Sequence, residues 1–230
     1  MKVVTIIQAR TSSSRLRNKV LFNLNGKTLL GQVIESAKSI EKSNEIWVAT
    51  SINYEDDVIE FICKENNVNC FRGSLSDVRS RFEFISKKTN ADVIVRVTAD
   101  NPFTEPSYAD QMISYVKSHR DVDYVCMKKS MILEGTGAEI FTSISLSKSI
   151  EMSNHESDVE HVTPFIINNN LFKSVYLKPN NIKLISNKPY SLSVDTIDDY
   201  LRIINILNKY SEIKTLEKIL IEINNNKNPI

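Results

Sequence analysis

In the first 118 residues, short runs of apolar and β-branched residues alternate with segments of helical periodicity. The runs occupy 3–7, 45–50, 68–71 and 92–97; the helical segments occupy 28–41, 55–66, 75–89 and 106–118. Near-continuous Val and Ile content is what a strand covered on both faces needs. In the second helical segment Val58, Ile59, Ile62 and Cys63 form one apolar stripe for such a sheet to bury. The alternation predicts an α/β fold: a mainly parallel central sheet with helices on both faces. Beyond residue 120 the pattern is less regular. Strands are expected at 122–127, 138–142, 173–178 and 191–195, and helices at 144–153, 158–169, 197–209 and 212–225. No repeat and no linker interrupts the chain, so 1–230 reads as a single domain with a polar, frayed tail over 224–230.

Composition narrows the partners. The chain has 230 residues, 41% hydrophobic and 25% charged, which suits one soluble domain with an ample core. A net charge of +1 gives no global field for nucleic acid or a membrane surface. No stretch approaches the ~18 apolar residues of a membrane span, and the N-terminal apolar run is too short for a signal peptide. Cys63, Cys70 and Cys126 are odd in number and lack metal-ligand spacing, so they read as reduced, structural thiols of a cytoplasmic protein.

Against that neutral background, QARTSSSRLRNK (8–19) is concentrated positive charge directly after the first strand. In open α/β sheets, ligands sit at the carboxyl ends of strands. Arg10, Arg15 and Lys19 supply forked and point-charge donors suited to phosphate, and the hydroxyls of residues 11–14 add more. The same residues also suit a solvated basic loop. Gly26-Lys27-Thr28 is not a phosphate-binding P-loop, because Leu21 stands where that motif needs Gly. A turn capped by Thr28 is expected instead. Asp100 and Asp195 each end an expected strand. Together they suit Mg²⁺, which takes one or two carboxylates plus phosphates and waters. Either alone also suits a turn or helix cap. Glu160-His161 lies in an expected helix.

These stretches, in this order, resemble the cytidylyltransferases of sugar activation, the makers of CMP-Kdo and CMP-sialic acids, and more closely the spore-coat polysaccharide biosynthesis protein F group. The matching segments are IIQARTSSSRLRNKVL, IWVATS, DD (56–57), FRGSLSDVRSRF, ADVIVRVTADNPF, GAEIF, EHVTPFI and LSVDTIDD. The resemblance implies a Rossmann-like GT-A nucleotidyltransferase fold. Its nucleotide half covers about 1–105, and its acceptor and dimerisation half about 106–210. It implies that Gln8, Ala9, Arg10, Arg15, Lys19, Thr50, Ser51, Arg72, Ser74, Asp77 and Asp100 bind CTP or support its loops. Arg10, Lys19 and Asp100 would be catalytic. Asp100 and Asp195 would hold Mg²⁺. Glu139, Glu160 and His161 would meet a sugar-type acceptor, and the protein would be a homodimer. The loop departs from the family in carrying Arg17-Asn18 before its Lys rather than Pro-Gly. Asn tolerates positive φ best after Gly, so the turn is expected to persist. Gly137, Val159 and Ser191 also depart from the family, all in the acceptor half. Two other readings are a glycosyltransferase using a ready-made nucleotide sugar and a non-catalytic nucleotide-binding protein. The first needs an Asp-x-Asp metal motif, and Asp121-Val122-Asp123 precedes a strand rather than ending one.

Overall fold

The computed structural model describes residues 1–186, 190–209 and 216–225. Seven strands form one sheet: β1 (Val3–Gln8), β4 (Glu45–Ser51), β5 (Asn69–Gly73), β6 (Val93–Thr98), β7 (Tyr124–Met127), β8 (Glu139–Thr142) and β9 (Ser174–Leu177). Their order across the sheet is β5-β4-β1-β6-β8-β7-β9. All neighbours pair in parallel except β8, which is antiparallel to both β6 and β7. A separate two-stranded hairpin, β2 (Asn23–Leu24) with β3 (Lys27–Thr28), follows the basic loop. Successive residues of β1 point to opposite faces, yet Val3, Val4, Thr5, Ile6 and Ile7 are all fully buried. Both faces of the sheet centre are therefore covered. The mainly parallel α/β architecture read from the Val/Ile runs is the one observed.

The helices are α1 (Leu29–Lys38), α2 (Asp57–Glu65), α3 (Val78–Thr89), α4 (Pro106–Ser118), α5 (Ser143–Met152), α6 (Glu156–His161), α7 (Pro164–Asn168), α8 (Ile197–Lys209) and α9 (Leu216–Asn225). Their starts follow local chemistry. Thr28 caps α1 by accepting from the Gly31 amide at 3.0 Å, as its position suggested. Asp77 caps α3 through Ser80, and Glu105 with Pro106 opens α4.

Two expectations need correction. The helix expected over 158–169 is broken into α6 and α7. Pro164 cannot continue a helix, and Val162 takes φ 71°, ψ −50° while the Thr163 amide donates to the His161 carbonyl at 2.8 Å. That is a γ-turn of the rare, strained kind, on a buried β-branched residue. The strand expected at 191–195 is extended chain with one isolated bridge, Glu134 to Ser191. Its amides bond two different segments, Leu192 to the Glu134 carbonyl and Val194 to the Asp100 carbonyl, so no ladder accumulates. Of the helix expected over 212–225, the part from Leu216 is present. Residues 212–215 and the tail from 226 lie outside the described residues. No helix among the described residues is long and apolar enough to cross a membrane. Cys63, Cys70 and Cys126 are free thiols.

Because β1, β4, β5 and β6 run in parallel and in register, their carboxyl ends share one edge. Gln8 lies opposite both Ala49 and Thr98, and Ser51 opposite Gly73. That edge gathers the loops beginning at 9, 52, 74 and 99.

Candidate active site

The basic loop is shaped by a buried carboxylate, Asp56, that the sequence had offered only as part of a matching segment, without a role. Thr11 donates from its amide and hydroxyl to Asp56 Oδ1 at 2.8 and 2.7 Å. Ser51 donates from its amide to Asp56 Oδ2 at 3.3 Å and from its hydroxyl to the same oxygen. Burial alone would raise the Asp56 pKa, but the bonds from Ser51 and Thr11 outweigh it and hold the carboxyl below its ordinary range. The Thr11 carbonyl then accepts from the Ser13 and Asn18 amides at 2.9 and 2.8 Å. Asn18 sits at φ 60°, the left-handed conformation expected of it. The turn survives without Gly and delivers Lys19 into the site.

Lys19 Nζ is nearly buried and surrounded by three oxygens: Asp100 Oδ2 at 2.8 Å, Asp195 Oδ1 at 2.8 Å and the Val194 carbonyl at 2.9 Å. Arg15 Nη2 reaches the same Asp195 oxygen at 2.8 Å, and Arg10 Nη2 donates to Glu160 Oε1 at 2.9 Å. Three cations thus meet three carboxylates drawn from three distant segments. Arg17 turns away to Glu55. The capping alternatives for the two aspartates are answered by neighbours. Thr196 and Asp199 cap α8 reciprocally: the Thr196 amide and hydroxyl donate to Asp199 Oδ2, and the Asp199 amide donates to the Thr196 hydroxyl. Glu105 caps α4. Asp100 and Asp195 are left for the charge cluster.

Two carboxylates and a carbonyl converging on one ammonium form a hard-oxygen set that fits a divalent cation. Among the described residues no group of three or more His, Cys, Asp or Glu forms a metal cage. A metal here would complete its shell with phosphate and water.

The other nucleotide-side positions divide by contact. Thr50 Oγ1 and Ser12 Oγ are buried without a hydrogen-bond partner among the described residues. Arg72 braces two loops, donating to the Ser51 and Asn53 carbonyls at 3.1 and 2.9 Å and pairing with Asp57 and Glu60. Ser74 accepts from the Asp77 amide at 3.1 Å, and Asp77 caps α3. Gln8 accepts from Arg96 Nη2 at 3.1 Å, and the Ala9 amide bonds the Ala49 carbonyl at 3.1 Å. Arg81 was also missed. It is buried, bonds the Ala49 and Leu75 carbonyls, and has its pKa lowered to about 10 by burial and by nearby Arg10. A second Arg in RSRF was its only signal.

Beside this cluster lies a cavity of about 480 Å³. Arg96 and Glu139 form its charged floor, paired because β6 and β8 place them opposite each other. Glu139 also accepts from the Tyr124 hydroxyl at 2.7 Å and from Thr163 Oγ1 at 3.2 Å. Of the three acceptor-side residues implied by resemblance, Glu139 lines the cavity. Glu160 faces Arg10 instead, and His161 is exposed and outside the lining. Asp121 and Asp123 are engaged by Lys173 at the amino end of β7, away from the cluster.

A family model described as cytidylyltransferase matches residues 4–226. The chain belongs to the cytidylyltransferase family. It is 32% identical over 218 residues to the spore coat polysaccharide biosynthesis protein SpsF of Bacillus subtilis, covering 91% of this chain and 88% of that one. A cytidylyltransferase structure from Leptospira borgpetersenii superposes with a TM-score of 0.83 at 29% identity, covering 97% of this chain and 93% of the other. A CMP-2-keto-3-deoxy-manno-octonic acid synthetase complexed with CTP shares the fold, with a TM-score of 0.70 at 16% identity over 91% of this chain and 99% of that one. The cytidylyltransferase is thus a CTP-using nucleotidyltransferase. Its cationic loop lies at the carboxyl edge of a Rossmann-like sheet.

Proposed function

We propose that this cytidylyltransferase moves CMP from CTP to an acidic sugar or sugar phosphate bound in the cavity beside Arg96 and Glu139, and releases pyrophosphate. The observation that carries this reading is the neutral cluster of Arg10, Arg15 and Lys19 with Glu160, Asp195 and Asp100 at the strand ends. A triphosphate offers these cations more oxygens, and more charge, than the side-chain carboxylates do. Binding exchanges each intramolecular pair for a phosphate contact and frees Asp100 and Asp195. Those two carboxylates would hold Mg²⁺ with the phosphates. The ion, when bound, supplies charge neutralisation at the α-phosphate.

An ionised phosphate oxygen of the acceptor, or a hydroxyl that gives up its proton to solvent, attacks the α-phosphorus; the bond from that phosphorus to the α,β-bridging oxygen breaks, and pyrophosphate departs with its charge spread over the cations. Arg10, Arg15 and Lys19 stabilise that developing charge and align the chain of phosphates.

The test incubates purified protein with each nucleoside triphosphate, Mg²⁺ and a panel of acidic sugars and sugar phosphates. Pyrophosphate release with CTP and one acceptor class is expected. No release with any pair, and no CTP binding by calorimetry, contradicts the proposal.

A further inference from the structure

The cations of the basic loop all meet side-chain carboxylates, but Arg81 does not. It is the largest fully buried side chain among the described residues, with 1% of its surface exposed. Its guanidinium bonds the Ala49 carbonyl at 3.4 Å and the Leu75 carbonyl at 3.1 Å, and its Nε has no hydrogen-bond partner among the described residues. Among those residues it forms no ion pair. A buried charge without a counter-charge costs stability. The position adds to that cost. Arg81 lies in the first turn of α3, a turn with no acid, where the helix dipole already presents positive charge.

Its neighbour Arg79 is buried as well, and the charges it feels are the acids Asp77, Asp158 and Glu83. Arg81 instead feels the cation Arg10 ahead of the acids Asp56 and Asp77. Those two acids are engaged elsewhere, Asp56 by Thr11 and Ser51 and Asp77 by the Ser80 amide. Local stability therefore does not account for a cation here.

Its place in the fold suggests what does. The Ala49 carbonyl that it bonds also accepts from the Ala9 amide at 3.1 Å, one residue before Arg10. Leu75 belongs to the loop between Gly73 and the α3 cap, Asp77. Arg81 thus sits where two loops of the carboxyl edge meet. Gly73 makes room for its stem. An added Cβ at Gly73 would stand 2.8 Å from Arg81 Cγ, and Gly73 is not in the left-handed region, so this close approach is what its missing side chain serves.

We propose that Arg81 is a fixed charge of the nucleotide site, which attracts the triphosphate through space rather than by contact. The proposal rests on the reading of the basic loop as the triphosphate's site. Arg10, Arg15 and Lys19 must each leave a carboxylate to meet phosphate, whereas Arg81 has none to leave. Being buried, its charge is also screened little by salt.

The test titrates cytidine, CMP and CTP by calorimetry, without metal, into wild type, Arg81→Met and Arg81→Gln. Arg81→Met should weaken CTP binding by about tenfold, the scale of one unit charge acting through protein of effective dielectric about 20, and cytidine binding by less than about twofold. CMP should fall between them. Arg81→Gln keeps a donor for the Leu75 carbonyl but not the charge, and should lose as much CTP affinity as Arg81→Met. Equal losses for cytidine and CTP, CTP affinity restored by Gln, or CTP binding unchanged in both variants overturns the inference. Failure of both variants to fold also overturns it, because an unpaired buried charge should be replaceable without loss of the fold. Absence of CTP binding by the wild type overturns the reading of the basic loop itself.

Discussion

The two halves of the site are held by opposite means. The nucleotide edge is assembled from side chains that pair across the whole chain, Lys19 with Asp195 and Arg10 with Glu160, in contacts that a ligand can replace. The cavity proposed for the acceptor is framed by strand register and main-chain hydrogen bonds, and its Arg96–Glu139 pair is engaged. The first half is neutral only until a polyanion arrives. The second presents a finished shape. The proposed function thus assigns charge exchange to nucleotide binding and shape to the choice of acceptor.

Four substitutions probe this contrast, from the largest effect to the smallest. Asp100→Asn should lower turnover by about 10²–10³-fold, the cost of losing one preorganised charge at a reacting group. Its thermal midpoint should stay close to wild type, because Asp195 and the Val194 carbonyl still hold Lys19. Full activity in that variant would remove Asp100 from the chemistry.

Asp56→Ala should destabilise the fold by about 3 kcal/mol in urea titration, since it strands buried donors of Thr11 and Ser51. Asp56 also has a signed pH dependence. Its folded pKa lies below the ordinary 3.8, so its contribution is complete above pH 3.8 and is lost as pH falls through the folded value. The variant should show a shallower loss of stability below pH 3.8 than wild type. Parallel acid profiles would contradict the assignment.

Gly135→Ala should cost about 2 kcal/mol, because it combines a positive φ with a collision at the Ser193 backbone. It should also reduce turnover by shifting the segment that carries Asp195. A stability unchanged within error would show that Gly135 is not held against that backbone. The smallest effect is expected from Glu160→Gln. Releasing Arg10 from a half-exposed pair worth under ~1 kcal/mol should tighten CTP binding by less than about fivefold. Weaker binding would mean that Glu160 helps the nucleotide rather than competing with it.

The fold was legible where burial is symmetrical. Val3–Gln8 and Val93–Thr98 are covered on both faces, and their composition says so. It was misread at 191–195, where alternating Ser with Leu and Val imitates a strand whose hydrogen bonds in fact serve two separate loops. The break at Val162 was signalled by Pro164, but its γ-turn was not, because nothing in a valine announces positive φ. In the site, the basic loop and Asn18 were readable from local chemistry. Asp56, Arg81 and Arg96 were not, because their roles depend on partners far along the chain. Thr11 and Asp56 are 45 residues apart, and Arg96 meets Glu139 only through sheet register. Glu139 entered through family resemblance, and the structure supplied its cavity.

The central claim is that the cationic loop holds the triphosphate, with Lys19 at its centre. The direct measurement is calorimetric titration of CTP with Mg²⁺ into wild-type protein and Lys19→Ala. Loss of this charge-assisted contact, with Asp100 left without its cation beside the phosphates, predicts binding weaker by about a hundredfold. A dissociation constant within about twofold of wild type would contradict the account.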